Sequence, residues 1–232
     1  MNKATKPAAS ASDQPAATEQ LRVVIVGHGK STLVGRLLHD TNMLPKGKLE
    51  AIEEIEFRHA EREYVLIDAP SHREIIRNMV TGTSSADAVL LLIDANQGTR
   101  GQLSRHGYLL QLLGFHQVAV MVNKMDLIGY SEARFREIER EYSSHLEGIG
   151  VTPTCVIPIS ARNGDNVATA SKNLGWQNGS TVLDALAEFT PPESHEDAPL
   201  RLPLQAVDKS DDRWVFVGRI KSGRLSVGDE LL

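Results

Sequence analysis

The sequence predicts an α/β fold, with a mainly parallel sheet, helices on both faces, and a short all-β segment after it. Five apolar runs of strand length predict the sheet, at residues 21–26, 64–68, 88–93, 118–122 and 155–160. Each is almost continuously apolar, as strands covered on both faces are. Amphipathic stretches alternate with these runs, which is the pattern of strands joined by crossover helices. After Pro191-Pro192 the pattern becomes all-β, with LRLPLQAV and RWVFVGRI set around the turn-like DKSDD.

Residues 1–20 are Ala, Ser, Thr, Pro and Gln with little to bury, so a mobile tail is expected there. The first run opens through glycines into a helix expected over 30–39. Further helices are expected near 72–81 and over 101–113, 131–147 and 181–189. In the segment 131–147, Ser131 stands at a cap position, and Phe135, Ile138 and Tyr142 recur at helical spacing. Together these elements make a domain over 21–190. The polar, proline-rich stretch 191–199 reads as a linker. Residues 200–232 offer two or three strands, with Gly223 and Gly228 as turn points. So few strands bury no core of their own, so this segment reads as an incomplete β-barrel domain.

Composition narrows the function. Of 232 residues, 41% are hydrophobic and 24% charged, which excludes disordered and collagen-like chains. A net charge of −5 argues against broad electrostatic binding to nucleic acid. The single cysteine, Cys155, forms no internal disulfide and reads as a small core residue, in keeping with a reducing cytosol. No apolar run approaches the roughly 18 residues needed to cross a bilayer, so a cytoplasmic protein without a membrane partner is expected.

Ligands of such sheets bind beyond the carboxyl ends of the strands, so the loops after the runs should carry the chemistry. After the first run stand Gly27-His28-Gly29-Lys30-Ser31-Thr32 and a helix. This is the order of a phosphate-binding loop, in which Lys30 would reach phosphates and the Ser31 hydroxyl would ligate Mg²⁺. The spacing is short. Four residues should separate the first glycine from Gly-Lys, and only His28 does. Three missing residues remove about 10 Å of contour. A glycine turn with a solvated lysine is the competing reading.

The second run ends at Asp68, a candidate Mg²⁺ partner, with His72 placed to position a water. Singly, each reads as an ordinary strand-end acid and loop histidine. The run at 118–122 leads into Asn123-Lys124-Met125-Asp126. A carboxylate such as Asp126 only accepts, so it suits an edge presenting two donors. Guanine has such an edge and adenine does not. Asn123 can serve the other edge of the base, and the Lys124 stem can lie along its face. After the next run, the backbone N–H groups of Ser160 and Ala161 are candidates to hold the guanine oxygen. Asp94 reads as a turn acid.

With VGHGKST, DAPSH, NKMD and SAR in this order, the sequence resembles the elongation factor Tu family of translational-type GTPases. Within it, GRLLHD at 35–40, the stretch from Asn123 to Tyr130, GDNV at 164–167 and Gly175-Trp176 are similar to the GTPase subunits of bacterial sulfate adenylyltransferase. The resemblance implies a P-loop GTPase domain followed by a β-barrel domain, and GTP or GDP with Mg²⁺ as ligands. It implies GTP hydrolysis coupled to adenosine 5′-phosphosulfate synthesis, with the catalytic subunit of sulfate adenylyltransferase as partner and nucleic acid an unexpected one. His72 would be the catalytic, water-positioning residue. Gly27, Gly29, Lys30, Ser31, Thr32, Asn123, Lys124, Asp126, Ser160 and Ala161 would bind the nucleotide, and Ser31 and Asp68 the metal.

Three departures stand against that pattern. The family reads G-H-V-D-x-G-K-[ST] at the phosphate loop, Ser71 replaces a glycine, and only residues 41–63 separate the first helix from YVLID. EFRHAERE at 56–63 resembles the hairpin strand after the family's switch segment, here joined almost directly to the helix. Two alternatives follow: a pseudo-GTPase that keeps NKMD but loses the phosphate grip and docks a partner, or an elongation factor-like translation GTPase.

Overall fold

The structure, a computed structural model, describes residues 20–43, 54–68, 86–98, 110–111, 114–191, 197–210, 213–218, 220 and 222–230. The chain divides into two compact units, Met1–Pro191 and Pro192–Leu232.

The first unit is a six-stranded sheet. Its strands are β1 (Gln20–Gly27), β2 (Glu54–His59), β3 (Arg62–Asp68), β4 (Ala88–Asp94), β5 (Val118–Asn123) and β6 (Cys155–Pro158). They lie in the order β2-β3-β1-β4-β5-β6. All neighbours are parallel except β2 and β3, which form an antiparallel hairpin. The α/β class with a mostly parallel sheet is therefore the observed one. From β1 the chain passes to the edge strand β2, returns through β3 beside β1, and then crosses to β4 on the other side of β1. The switch point lies between β1 and β4, where open sheets of this kind leave a crevice for a ligand.

Side-chain alternation explains why the apolar runs are continuous. In β1, Leu21, Val23 and Ile25 enter one core while Val24 and Val26 enter the other. In β4, Ala88, Leu90 and Leu92 face the first core, and Val89, Leu91 and Ile93 the second. Helices α1 (Lys30–Asp40) and α3 (Val182–Glu188) supply buried residues to the first core. Helix α2 (Glu132–Gly148) covers the second with Phe135, Ile138, Tyr142 and Leu146. Its cap forms as its sequence implies, with the Arg134 N–H donating to Ser131 Oγ at 3.3 Å. Helix α3 opens on a capping box, Thr181 with Asp184. The helices expected near 72–81 and over 101–113 lie outside the described residues, apart from Leu110 and Gln111.

Strand β2 is amphipathic: Ile55 and Phe57 are buried while Glu56 and Arg58 are exposed. That pattern suits an edge strand of the sheet. Phe57 stacks on its cross-strand partner Tyr64 at 5.0 Å between ring centroids. Strand β6 ends at Pro158, short of the run's end at residue 160, although the Ile159 N–H still donates to the Val122 carbonyl at 2.8 Å.

The second unit contains a two-stranded antiparallel sheet, β7 (Leu204–Ser210) and β8 (Arg213–Gly218). The Arg201 N–H donates to the Ser222 carbonyl at 2.9 Å, tying the flanking segments together. Trp214, Phe216 and Val207 share one exposed face of this hairpin, and Val215 and Val217 the other.

Candidate functional site

The parallel register brings four loop origins to one edge. Gly27 lies beside Leu92, Asp94 beside Asn123, and Asp68 beside Ile25. A cavity of about 450 Å³ opens at this edge. One wall is Gly29 and Thr32 from the start of α1. The other is Asn123, Lys124, Asp126 and Leu127 after β5, with Ala161 and Arg162 after β6.

Asn123 is 2% exposed, and its Oδ1 accepts two backbone N–H groups, from Lys124 at 2.7 Å and from Ala161 at 3.0 Å. With its oxygen so engaged, the amide has its Nδ2 toward Gly29, where a Cβ would lie 2.6 Å away. Asn123 thus joins three loops: its own, the one after β6, and the one before α1.

Lys124 takes a left-handed backbone conformation with φ 67°. Such a conformation disfavours a side-chain-bearing residue and is tolerated where the surroundings fix it. Its ammonium meets Asp94 Oδ2 at 2.6 Å. Burial works to raise the Asp94 carboxyl, but the Lys124 ammonium and the N–H groups of Asn96 and Gln97 outweigh it and hold the group below the ordinary carboxylate range. Asp94 is a turn acid, as its position implies, and it also pins the lysine of the loop after β5. The Asp94–Asn123 register carries that role, which no linear spacing displays.

Asp126 accepts the Ser160 hydroxyl at Oδ1, 2.7 Å away, and so turns Oδ2 to other partners. The Ser160 N–H donates to the Asp165 carbonyl at 3.1 Å, and the Ala161 N–H to Asn123. Both N–H groups expected to hold a base oxygen are therefore engaged within the chain. Ser160 and Ala161 thereby bond to Asp126 and Asn123.

Behind this loop stands a second network missing from the sequence reading. The buried Asp165 carboxylate accepts from Tyr130 Oη at 2.8 Å, from Asn173 Nδ2 at 3.1 Å and from the Ser171 hydroxyl. Asn163 Nδ2 donates to the same Tyr130 oxygen, and Trp176 Nε1 donates to the Tyr130 carbonyl. The loop after β5 and the loop after β6 are thus cross-linked on both sides of Asp126.

On the phosphate side, β1 runs through Gly27 and α1 begins at Lys30. The His28 N–H reaches the Leu92 carbonyl at 3.4 Å, and the Leu33 N–H donates to Gly29 at 3.0 Å to open the helix. Lys30, Ser31 and Thr32 are the first three helical residues, with Ser31 and Thr32 exposed. A Cβ at Gly27 would strike the Leu92 carbonyl oxygen, so glycine is required for this approach of β1 to β4. Asp68 ends β3, with its side chain outside the described residues, and His72 and Ser71 lie outside them altogether. Mg²⁺ in such sites is held by one or two protein oxygens plus phosphates of the ligand. Among the described residues no three His, Cys, Asp or Glu side chains cluster as a metal site. Among the described residues, the short turn at Gly27–Lys30 lacks the loop that would present the phosphates of a Mg²⁺–triphosphate.

The fold and site together define a doubly wound α/β domain with a cavity at its switch edge. Residues 46–192 match the elongation factor Tu GTP binding domain, and the chain belongs to that family. It is 39% identical to elongation factor 1-alpha of Methanopyrus kandleri over 240 residues, covering 91% of this chain and 57% of the relative. It is 34% identical to elongation factor 1-alpha of Pyrococcus furiosus, covering 91% of this chain and 58% of the relative. The chain thus spans little more than half the length of these relatives. The solved translation elongation factor SelB of Methanococcus maripaludis, in its apo form, shares the fold with a TM-score of 0.63 at 23% identity, over 91% of this chain and 44% of that one.

These relatives correct two expectations. They are elongation factors, so the narrower likeness to sulfate adenylyltransferase subunits is not supported, and its catalytic subunit is not the partner they indicate. The expectation against nucleic acid falls with it, since a net charge summed over the chain does not describe the local surfaces that meet RNA. Among the described residues no helix is long and apolar enough to cross a membrane.

Proposed function

We propose that this chain is the guanine-nucleotide-binding part of a translation elongation-type GTPase. The observation that carries it is the convergence of Asn123, Lys124 and Asp126 on one cavity, each already held by an intramolecular bond. An acceptor-only carboxylate at Asp126 suits the N1–H and 2-amino donors of guanine and meets a mismatched acceptor in adenine. The elongation factor 1-alpha relatives support a role in translation, and a cytoplasmic location accords with it. Hydrolysis, assigned by resemblance to His72, is a separate proposal that base binding does not require.

Calorimetric titration of the full chain with GDP and ADP tests the reading. GDP should bind at least about 100-fold more tightly, the scale of lost charge-assisted hydrogen bonds. Equal affinities would overturn it.

A further inference from the structure

We infer that this site recognises its ligand through the guanine base, and that phosphates beyond the first add little to affinity. The inference rests on the guanine reading and concerns the other end of the ligand.

A loop that grips a β-phosphate presents several successive N–H groups to one point, which needs four residues between its first glycine and Gly-Lys. Here that interval is His28 alone. Its N–H points to the Leu92 carbonyl, along the sheet. The next residue, Gly29, sits in the left-handed region at φ +90° and packs on Asn123, with room for a Cβ denied by the Asn123 amide. The start of α1 is thereby drawn onto the base-reading loop. A second anchor fixes it there. The Arg36 guanidinium, paired with Asp40 at 2.8 Å, lies against the backbone of Gly164, where a Cβ would strike it. Helix α1 is held at its cap and about two turns further on, at Arg36, against the loops after β5 and β6. Swinging its start away to make room for a phosphate chain would break both contacts.

Gly29 and Thr32 line the cavity together with Asn123 and Asp126. A first phosphate can meet the N-terminal end of α1, whose leading N–H groups precede the Leu33–Gly29 bond. Beyond it no loop wraps among the described residues. The ligand class is a guanine nucleoside or its monophosphate, with diphosphate and triphosphate tolerated rather than selected. The alignment to the Methanopyrus relative spans 240 positions yet uses only 91% of this chain, so that relative carries residues with no counterpart here.

The test is a calorimetric series on the full chain with guanosine, GMP, GDP, GTP and ADP, each with Mg²⁺ and with chelator. The expected result is GMP, GDP and GTP within about threefold of one another, insensitive to Mg²⁺, because exposed charges are screened. GDP binding more than about tenfold tighter than GMP would overturn the inference while leaving the guanine reading intact, since each gripped phosphate bond is worth about that much. ADP binding as well as GDP would overturn the guanine reading and the inference with it. A second variant inserts three residues between His28 and Gly29. If it melts as the parent does, it should gain a GDP-over-GMP preference of about tenfold or more. A folded insertion variant whose series stays flat would refute loop length as the cause.

Discussion

At the scale of single residues, the site is built from side chains that hold one another before any ligand arrives. Ser160 matters through Asp126: its hydroxyl fixes one carboxylate oxygen at 2.7 Å and leaves the other for the base proposed to bind there. Ser160→Ala should weaken GDP binding about 5- to 10-fold, the value of one such bond, while Asp126→Ala should abolish the GDP-over-ADP preference. Titration of each variant checks this, and a preference retained in Asp126→Ala would remove that residue from base reading. Asp94 makes a pH-dependent contribution. Its carboxyl is held below its ordinary value of 3.8, so its pairing with Lys124 stabilises the fold above that pH and is lost as pH falls through the lowered value. Asp94→Asn should therefore destabilise the protein by about 1–2 kcal/mol at neutral pH. The gap to the parent should close only on acidification below about pH 4. Denaturant melts at both pH values check the sign. Cys155, whose thiol burial pushes up to about 11, should react slowly with thiol reagents at neutral pH.

Elements show where sequence is a sufficient guide and where it is not. Strands β1, β3, β4, β5 and β6 and helix α2 were legible because their signal is local: continuous apolar runs, and apolar residues at helical spacing behind a serine cap. The motif after β5 was legible because its chemistry lies in four consecutive residues. By contrast, Ala161 bonds to Asn123 and Ser160 to Asp126 across intervals of 38 and 34 residues, which no spacing rule covers. Asp165 was visible only as part of a family-like string. Its function as a hub comes from Tyr130 in the loop after β5 and from Ser171 and Asn173 in one later turn. The β2–β3 hairpin carries a local misfit, with Ala60 at φ 53° in a turn where glycine would be unstrained. Ala60→Gly should raise stability by about 0.5–1 kcal/mol, measured by equilibrium unfolding. Thr181→Ala, which removes the capping box of α3, should lower it by about 1 kcal/mol.

For the whole molecule, the sheet separates two apolar cores, and side chains from alternate positions of each central strand serve both. Substitutions on either face should therefore destabilise the same cooperative unit. Leu91→Ala and Leu90→Ala, on opposite faces and both fully buried, should each cost about 2–5 kcal/mol in equilibrium unfolding, with coincident transitions by two probes. The hairpin of the second unit presents the opposite case. Trp214 is 62% exposed and Phe216 58%, on one face with Val207. Contiguous apolar surface of this kind promotes association. Replacing both aromatics by glutamine should reduce concentration-dependent light scattering without moving the melting of the first unit.

The closed bonds around Asn123 also bear on how quickly a ligand is captured. A pocket whose oxygen acceptors are already oriented requires no reordering step, so encounter and docking merge into one event. Stopped-flow traces with a fluorescent guanine ligand should follow a single exponential whose rate climbs linearly with concentration. Tyr130→Phe, which frees Asp165 from one of its partners, should introduce a slower, saturating phase as the loop becomes a gate that must close.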